Sequence, residues 1–121
     1  MKIRNTQDWL ECAHACGDCA EACVSVLPHC LERGGAHARP AHITLLQACA
    51  DICRTAAQTL FLGADVHAYT CAACAAICER CAADCEELRD TMMDDCIEAC
   101  LECADACRKM VRDTGSTAVS A

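Results

Sequence analysis

The stretch Cys71–Cys85, CAACAAICERCAADC, restricts the fold more than any other part of the chain. Its cysteines are spaced by three, four, three and four residues. That recurrence belongs to one face of an α-helix; a strand would alternate with period two. At roughly 100° per residue the thiols fall within an arc of about 80°, and at about 1.5 Å per residue they make a stripe roughly 21 Å long. Such a row is a ladder of soft ligands, and the other residues must decide what faces it.

The spacing returns elsewhere. Cys-x3-Cys-x2-Cys-x3-Cys occurs at Cys12–Cys23, at Cys74–Cys85 and at Cys96–Cys107. Four amphipathic helices are predicted, over about 6–33, 41–62, 66–89 and 91–112. The first carries Cys12, Cys16, Cys19, Cys23 and Cys30, with Asn5 and Thr6 as caps, a kink at Pro28 and a stop at Gly34-Gly35. The second starts after Pro40, stops at Gly63 and keeps only Cys49 and Cys53, with His42, Leu45 and Leu60 on the same face. The third, capped by Asp65, carries Cys71, Cys74, Cys78, Cys81 and Cys85; His67 extends its stripe at one end and Arg89 at the other. Thr91 and Asp94 form a capping pattern for the fourth, which carries Cys96, Cys100, Cys103 and Cys107. Short links between four such helices imply an all-α, up-down-up-down four-helix bundle over residues 1–113, with 114–121 as a frayed tail. All four cysteine faces then point inward and line a tube.

Composition narrows what the tube can be. Aromatic residues are 2% of the chain (Trp9, Phe61 and Tyr69), so Ala, Leu, Ile, Val and Cys must build the core. Sixteen cysteines in 121 residues exceed the level of about 8–10% that marks a disulfide scaffold or a metal protein. Disulfide scaffolds are loop-rich, whereas these cysteines lie in Ala-rich helical sequence, and neighbours on one helix face sit too far apart for a relaxed disulfide. The N-terminal residues lack an apolar core and a cleavage site, and no uncharged apolar run reaches the roughly 18 residues of a membrane span. A cytoplasmic, reducing location with free thiols is expected. The net charge of −8 argues against nucleic acid as a partner, because phosphate binding needs clustered Lys and Arg.

A buried cysteine can be a small hydrophobe, but Cys and Ala alone fill a bundle axis poorly, and sixteen thiols on matching stripes call for a ligand. A thioredoxin-like redox site needs one Cys-x2-Cys in a βαβ context, and nothing here reads as a strand. Zinc prefers closed four-ligand sites, and four thiolates around one dication leave a charge of −2 that is costly to bury in series. Iron–sulfur signatures use fewer cysteines, usually on loops. Copper(I) prefers thiolate and thioether ligands and forms neutral units with one thiolate each. A zinc or mixed-metal thiolate store, a thiol redox protein and an inert helical bundle remain the alternatives.

From Cys12 to Cys107 the repeated stripes resemble those of the cytosolic copper storage proteins. The resemblance implies a four-helix bundle that holds many Cu(I) ions as thiolate clusters, a homotetramer, and a role in sequestering copper rather than catalysis. It makes each of the sixteen cysteines a candidate ligand. The second helix, with two cysteines, departs from the pattern. Leu10, Val24, Leu31, Ile43 and Phe61 lie off the cysteine faces and suit helix packing or a subunit contact.

In this topology Trp9, Leu60, His67 and Met110 gather at one pole, a bulky plug. Cys30, His42, Cys85, Arg89, Met92 and Met93 gather at the other, a polar mouth with soft ligands. Copper is expected to pass this mouth, with His42, Met92 and Met93 as transfer ligands and His67 as a second-choice ligand at the plug. A copper chaperone or small-molecule carrier would deliver it. His14, His29 and His37 receive no role.

Overall fold

The computed structural model describes residues 6–114. Five α-helices, α1 (Thr6–Ser25), α2 (Leu27–Arg33), α3 (Pro40–Leu62), α4 (His67–Glu86) and α5 (Asp94–Thr114), form the four rods of a bundle. Two 3-10 turns, Gly35–Ala38 and Thr91–Met93, link rods at one pole. Among the described residues there is no strand.

The first rod is two segments, α1 and α2, rather than one kinked helix. Pro28 has no N–H to offer the Val24 carbonyl, and its ring crowds the preceding turn, so the helix breaks at Val26 and restarts with Pro28 in its first turn. The break does not lose the register. Val26 N–H still donates to Ala22 O at 3.3 Å and Cys30 N–H to Val26 O at 2.9 Å, and Cys30 returns to the core fully buried.

Other termini follow local chemistry. Pro40 opens α3, and Gly63, at φ 67°, closes it in the left-handed conformation that glycine adopts without a Cβ clash. Three expectations are corrected. Asp65 does not cap the third rod; Val66 holds the N-cap position and makes no side-chain cap. That rod ends at Glu86 rather than Arg89, because Leu88 and Arg89 tighten into bonds to Cys85 O and Glu86 O, and Arg89 takes φ 50°. The fourth rod begins with the 3-10 turn, and its cap is Asp90 rather than Thr91: Asp90 Oδ1 accepts from Met92 N–H at 2.9 Å. The Asn5 cap and the tail after 114 lie outside the described residues.

The rods close a ring in which α1 packs on α3 and α5, and α4 packs on α3 and α5. Cys12 meets Cys107 at 3.9 Å and Cys23 meets Cys96 at 3.8 Å, so α1 and α5 run antiparallel. Cys53 meets Cys74 and Cys49 meets Cys78, both at 3.7 Å, with the same sense for α3 and α4. Buried alanines flank the cysteine stripes (Ala13, Ala20, Ala50, Ala56, Ala75, Ala82 and Ala104) and let the backbones approach. The axis between the rods is left to sulfur. Leu46 is the largest side chain buried below 2% exposure. No described helix is long and apolar enough to cross a membrane.

Candidate metal centre

All sixteen cysteines are free thiols and all are buried. Twelve of them stack along the axis in overlapping groups whose sulfurs lie within 4.8 Å of one another. From the plug inward these are Cys12, Cys71 and Cys107; then Cys16, Cys74, Cys103 and Cys107; then Cys19, Cys53, Cys78 and Cys103; then Cys19, Cys23, Cys49 and Cys100. Cys96 continues the column from Cys23, 3.8 Å away, and the nearby Cys81 and Cys96 push the Cys85 thiol up. The two cysteines of α3 sit in the middle of this column, not apart from it. Sulfur–sulfur contacts run from 3.5 Å at Cys53–Cys78 to 4.0 Å at Cys49–Cys100. With a metal–sulfur bond of about 2.3 Å, three sulfurs around one ion stand about 4 Å apart. The thiols are thus already spaced for ligation, and filling the column asks little movement of the backbone.

Proton sharing along the column is unequal. Interactions with neighbouring thiols, the hydrogen bond with Cys100 first, hold the Cys19 thiol down to about 6, against an ordinary 9.0. Bonds with Cys107, Cys16 and Cys71 push Cys12 below the usual thiol range, and the bond with Cys103 does the same to Cys74. Their partners hold their protons more tightly: Cys103 raises Cys53 and Cys107, and Cys19 raises Cys100. A buried thiolate survives only where neighbouring S–H groups donate to it, and burial opposes every ionisation. Without metal, only a minority of the thiols can ionise together.

The poles differ in kind. At the plug, the Trp9 and His67 rings lie 4.0 Å apart, and Leu60 and Met110 are buried behind them. His67 Nδ1 lies 3.0 Å from Ala64 O, to which it donates. At the mouth, Cys30 Sγ is 3.5 Å from His42 Nε2 and 3.8 Å from Met93 Sδ. His42 Nδ1 lies 2.7 Å from Asp84 Oδ2, and Arg39 Nη2 lies 3.1 Å from the other oxygen of that carboxylate. Thiol, imidazole and thioether thus converge in a buried trio. Met92 is not part of it; its side chain is 63% exposed. Arg89 is exposed, as its place beyond the stripe requires.

A sequence profile of the family described as copper storage protein matches residues 5–112. The chain belongs to the copper storage protein family. A crystal structure of a protein from Nitrosospira multiformis is similar, with 37% identity and a TM-score of 0.83, covering 88% of this chain and 96% of that one. The Cu(I)-bound copper storage protein BsCsp3 is 36% identical with a TM-score of 0.78, covering 84% of this chain and 95% of its own. No match was found among curated proteins.

Within this copper storage fold, sequence reasoning missed two histidines. His29 and His37 both bond Asp90 Oδ2, at 2.7 and 2.9 Å. Helical periodicity could not have joined them, because His37 sits in a 3-10 turn and Asp90 in a corner. The one available signal was the count of histidines near the end of the first rod. Asp84 was missed as well, since it lies one residue before Cys85 and off the stripe.

Proposed function

We propose that this chain stores copper(I) as thiolate clusters along the bundle axis and performs no catalysis. One observation carries the reading: sixteen buried free thiols along one axis, twelve of them grouped in threes and fours within ligating distance. Soft thiolates select copper(I), and one thiolate per ion keeps the buried column near neutrality. The groups also share members, with Cys19, Cys103 and Cys107 each belonging to two. Zinc would want a closed set of four for each ion. Shared sulfurs suit clusters in which one thiolate bridges several ions.

All sixteen cysteines are assigned as ligands in this reading, with capacity on the order of one copper(I) per thiolate, roughly ten to twenty per chain. Copper passes the mouth. Cys30, His42 and Met93 form the transfer site, the exposed Met92 supplies a thioether on the outside, and His67 is a second-choice ligand at the plug. Free thiols suit a reducing cytoplasm. A copper chaperone or a small-molecule carrier supplies the ion. A homotetramer, as the family resemblance implies, is supported by apolar side chains left outside the core: Leu10, Val24, Leu31 and Phe61 are 41%, 40%, 59% and 56% exposed. Ile43 is partly buried against the core instead.

The test is an anaerobic copper(I) titration of the reduced protein against a coloured copper(I) chelator, with a parallel zinc titration. Storage requires more than about ten copper ions per chain to bind before the chelator takes any. Uptake that stops at one or two ions sinks the reading, and tighter, larger uptake of zinc moves the zinc store ahead.

A further inference from the structure

Outside the sulfur column, three side chains from three separate segments close on a single carboxylate oxygen. His29 comes from α2, His37 from the Gly35–Ala38 turn and Asp90 from the corner before α5. Both imidazole Nε2 atoms approach Asp90 Oδ2, at 2.7 and 2.9 Å, while Oδ1 holds the Met92 N–H. The rings stand edge to face with centroids 5.6 Å apart. The side chains of His37 and Asp90 are 8% exposed and that of His29 is 25% exposed. The group is therefore largely dry, with one side open to solvent.

We propose that His29, His37 and Asp90 form a second metal site, on the outer wall of the mouth, that takes one borderline divalent cation of the zinc(II) type. The donor set is chemically unlike the column. Two imidazoles and a carboxylate suit zinc(II) and related divalent ions, where thiolates select copper(I). Three protein ligands with an open fourth position are a complete zinc set once water fills the opening. With bonds of about 2.0 Å, tetrahedral donors stand about 3.3 Å apart. The present separations of 2.7 and 2.9 Å need to open by only about half an ångström. On binding, the proton that each Nε2 donates to Asp90 passes through solvent to Nδ1 or to bulk water, so that Nε2 turns its lone pair to the ion and Asp90 Oδ2 exchanges two hydrogen bonds for a metal bond. The hydrogen bonds from His29, with help from Met92 N–H and His37, hold the Asp90 carboxyl well below the usual range.

One group opposes the ion. Arg33 Nη1 lies 3.7 Å from Asp90 Oδ2. Its side chain is 60% exposed, so it can swing into water at little cost, as solvent-exposed ion pairs do.

The site is independent of the storage reading, and its test is read from the rings. Full-length 15N-labelled protein, filled anaerobically with copper(I), is titrated with zinc chloride while the histidine ring nitrogens are followed by NMR; both ions are diamagnetic. The Nε2 resonances of His29 and His37 are expected to shift together and saturate at one zinc per chain. His29→Gln and His37→Gln keep an N–H donor for Asp90 and so keep any purely structural tie, yet each should weaken this zinc step at least tenfold with helix content and copper capacity unchanged. Asp90→Asn, which retains the Met92 cap, is the third variant and should behave alike. Rings that stay unmoved under excess zinc would reduce the trio to a hydrogen-bonded tie and overturn the proposal, as would variants that bind zinc like the parent. Because imidazole nitrogens are observed rather than thiols, the answer holds whatever the copper count proves to be. A failure of storage would appear in that count alone.

Discussion

His42 Nδ1 lies 2.7 Å from Asp84 Oδ2, and this bond points the opposite ring nitrogen at Cys30 Sγ, 3.5 Å away. A carboxylate can only accept, so Nδ1 carries the proton and Nε2 presents its lone pair to the mouth. Carboxylate–histidine pairs of this kind set the tautomer and basicity of a metal-binding ring. Asp84→Asn is expected to slow copper(I) uptake by about tenfold, the lower end for loss of such a supporting partner, and to leave total capacity unchanged. Stopped-flow transfer from a coloured copper(I) complex measures it. An unchanged rate would take His42 off the path.

Shared sulfurs make some cysteines more valuable than others. Cys103 lies 3.6 Å from Cys16 and from Cys74 and 3.9 Å from Cys53, and it belongs to two four-sulfur groups. Cys30 contacts no group of four; its named partners are His42 and Met93. Replacing each by Ser should therefore cost different amounts, about two copper ions for Cys103→Ser and about one for Cys30→Ser, since a thiolate bridges soft ions where a hydroxyl does not. Native mass spectrometry of the filled proteins separates the two. Equal losses would mean that the groups fill as isolated sites.

The contrast between these two cysteines also shows what the sequence could tell. Cys103 is part of a strict three-four repeat, and that period alone places it on the axis; that it meets Cys16 at 3.6 Å is set by how the rods pack. Register along a helix survives even the break at Val26, because Cys30 lies seven residues after Cys23 and two turns restore its direction. What the period could not reach were the corners. The left-handed Arg89 and the Asp90 cap are short-range turns with no hydrophobic period to mark them, and His29 and His37 meet Asp90 only through contacts between residues distant in sequence. Met92 and Met93 show the limit within one dipeptide. Both are adjacent to the mouth in sequence, but the 3-10 turn buries Met93 fully and leaves Met92 63% exposed.

Leu46 tests how far the empty bundle rests on ordinary packing. It is fully buried in α3, the rod with fewest thiols. Leu46→Ala should cost about 2–5 kcal/mol in the metal-free protein, the range for truncating a buried leucine. Ions that bind only the folded state add stability by mass action, so the copper-filled variant should unfold at higher urea than the metal-free parent. Urea titrations of both forms check this. Equal midpoints for filled and empty protein would show that the column contributes nothing to holding the rods together.

Copper capture must also displace protons, and the mouth fixes the sign of the pH effect. Burial first, then the nearby Cys96 and Asp90 charges, pushes the Cys30 thiol above its ordinary 9.0. At neutral pH it is therefore protonated, and binding copper there releases one proton. Acid competes with the metal, so affinity at Cys30 should fall about tenfold for each unit of pH lowered, and rise towards the thiol pKa. Cys19, held down to about 6, is mostly ionised above that pH and should contribute little slope between 7 and 9. Proton release measured with an indicator dye in weakly buffered solution at pH 7.5 should approach one proton per copper for the most strongly protonated thiols. Cys30→Ser should remove one proton and one copper together. If copper binds at full stoichiometry with almost no proton release, the column must already be ionised, and the donated S–H bonds that divide its protons unequally would not describe the empty protein.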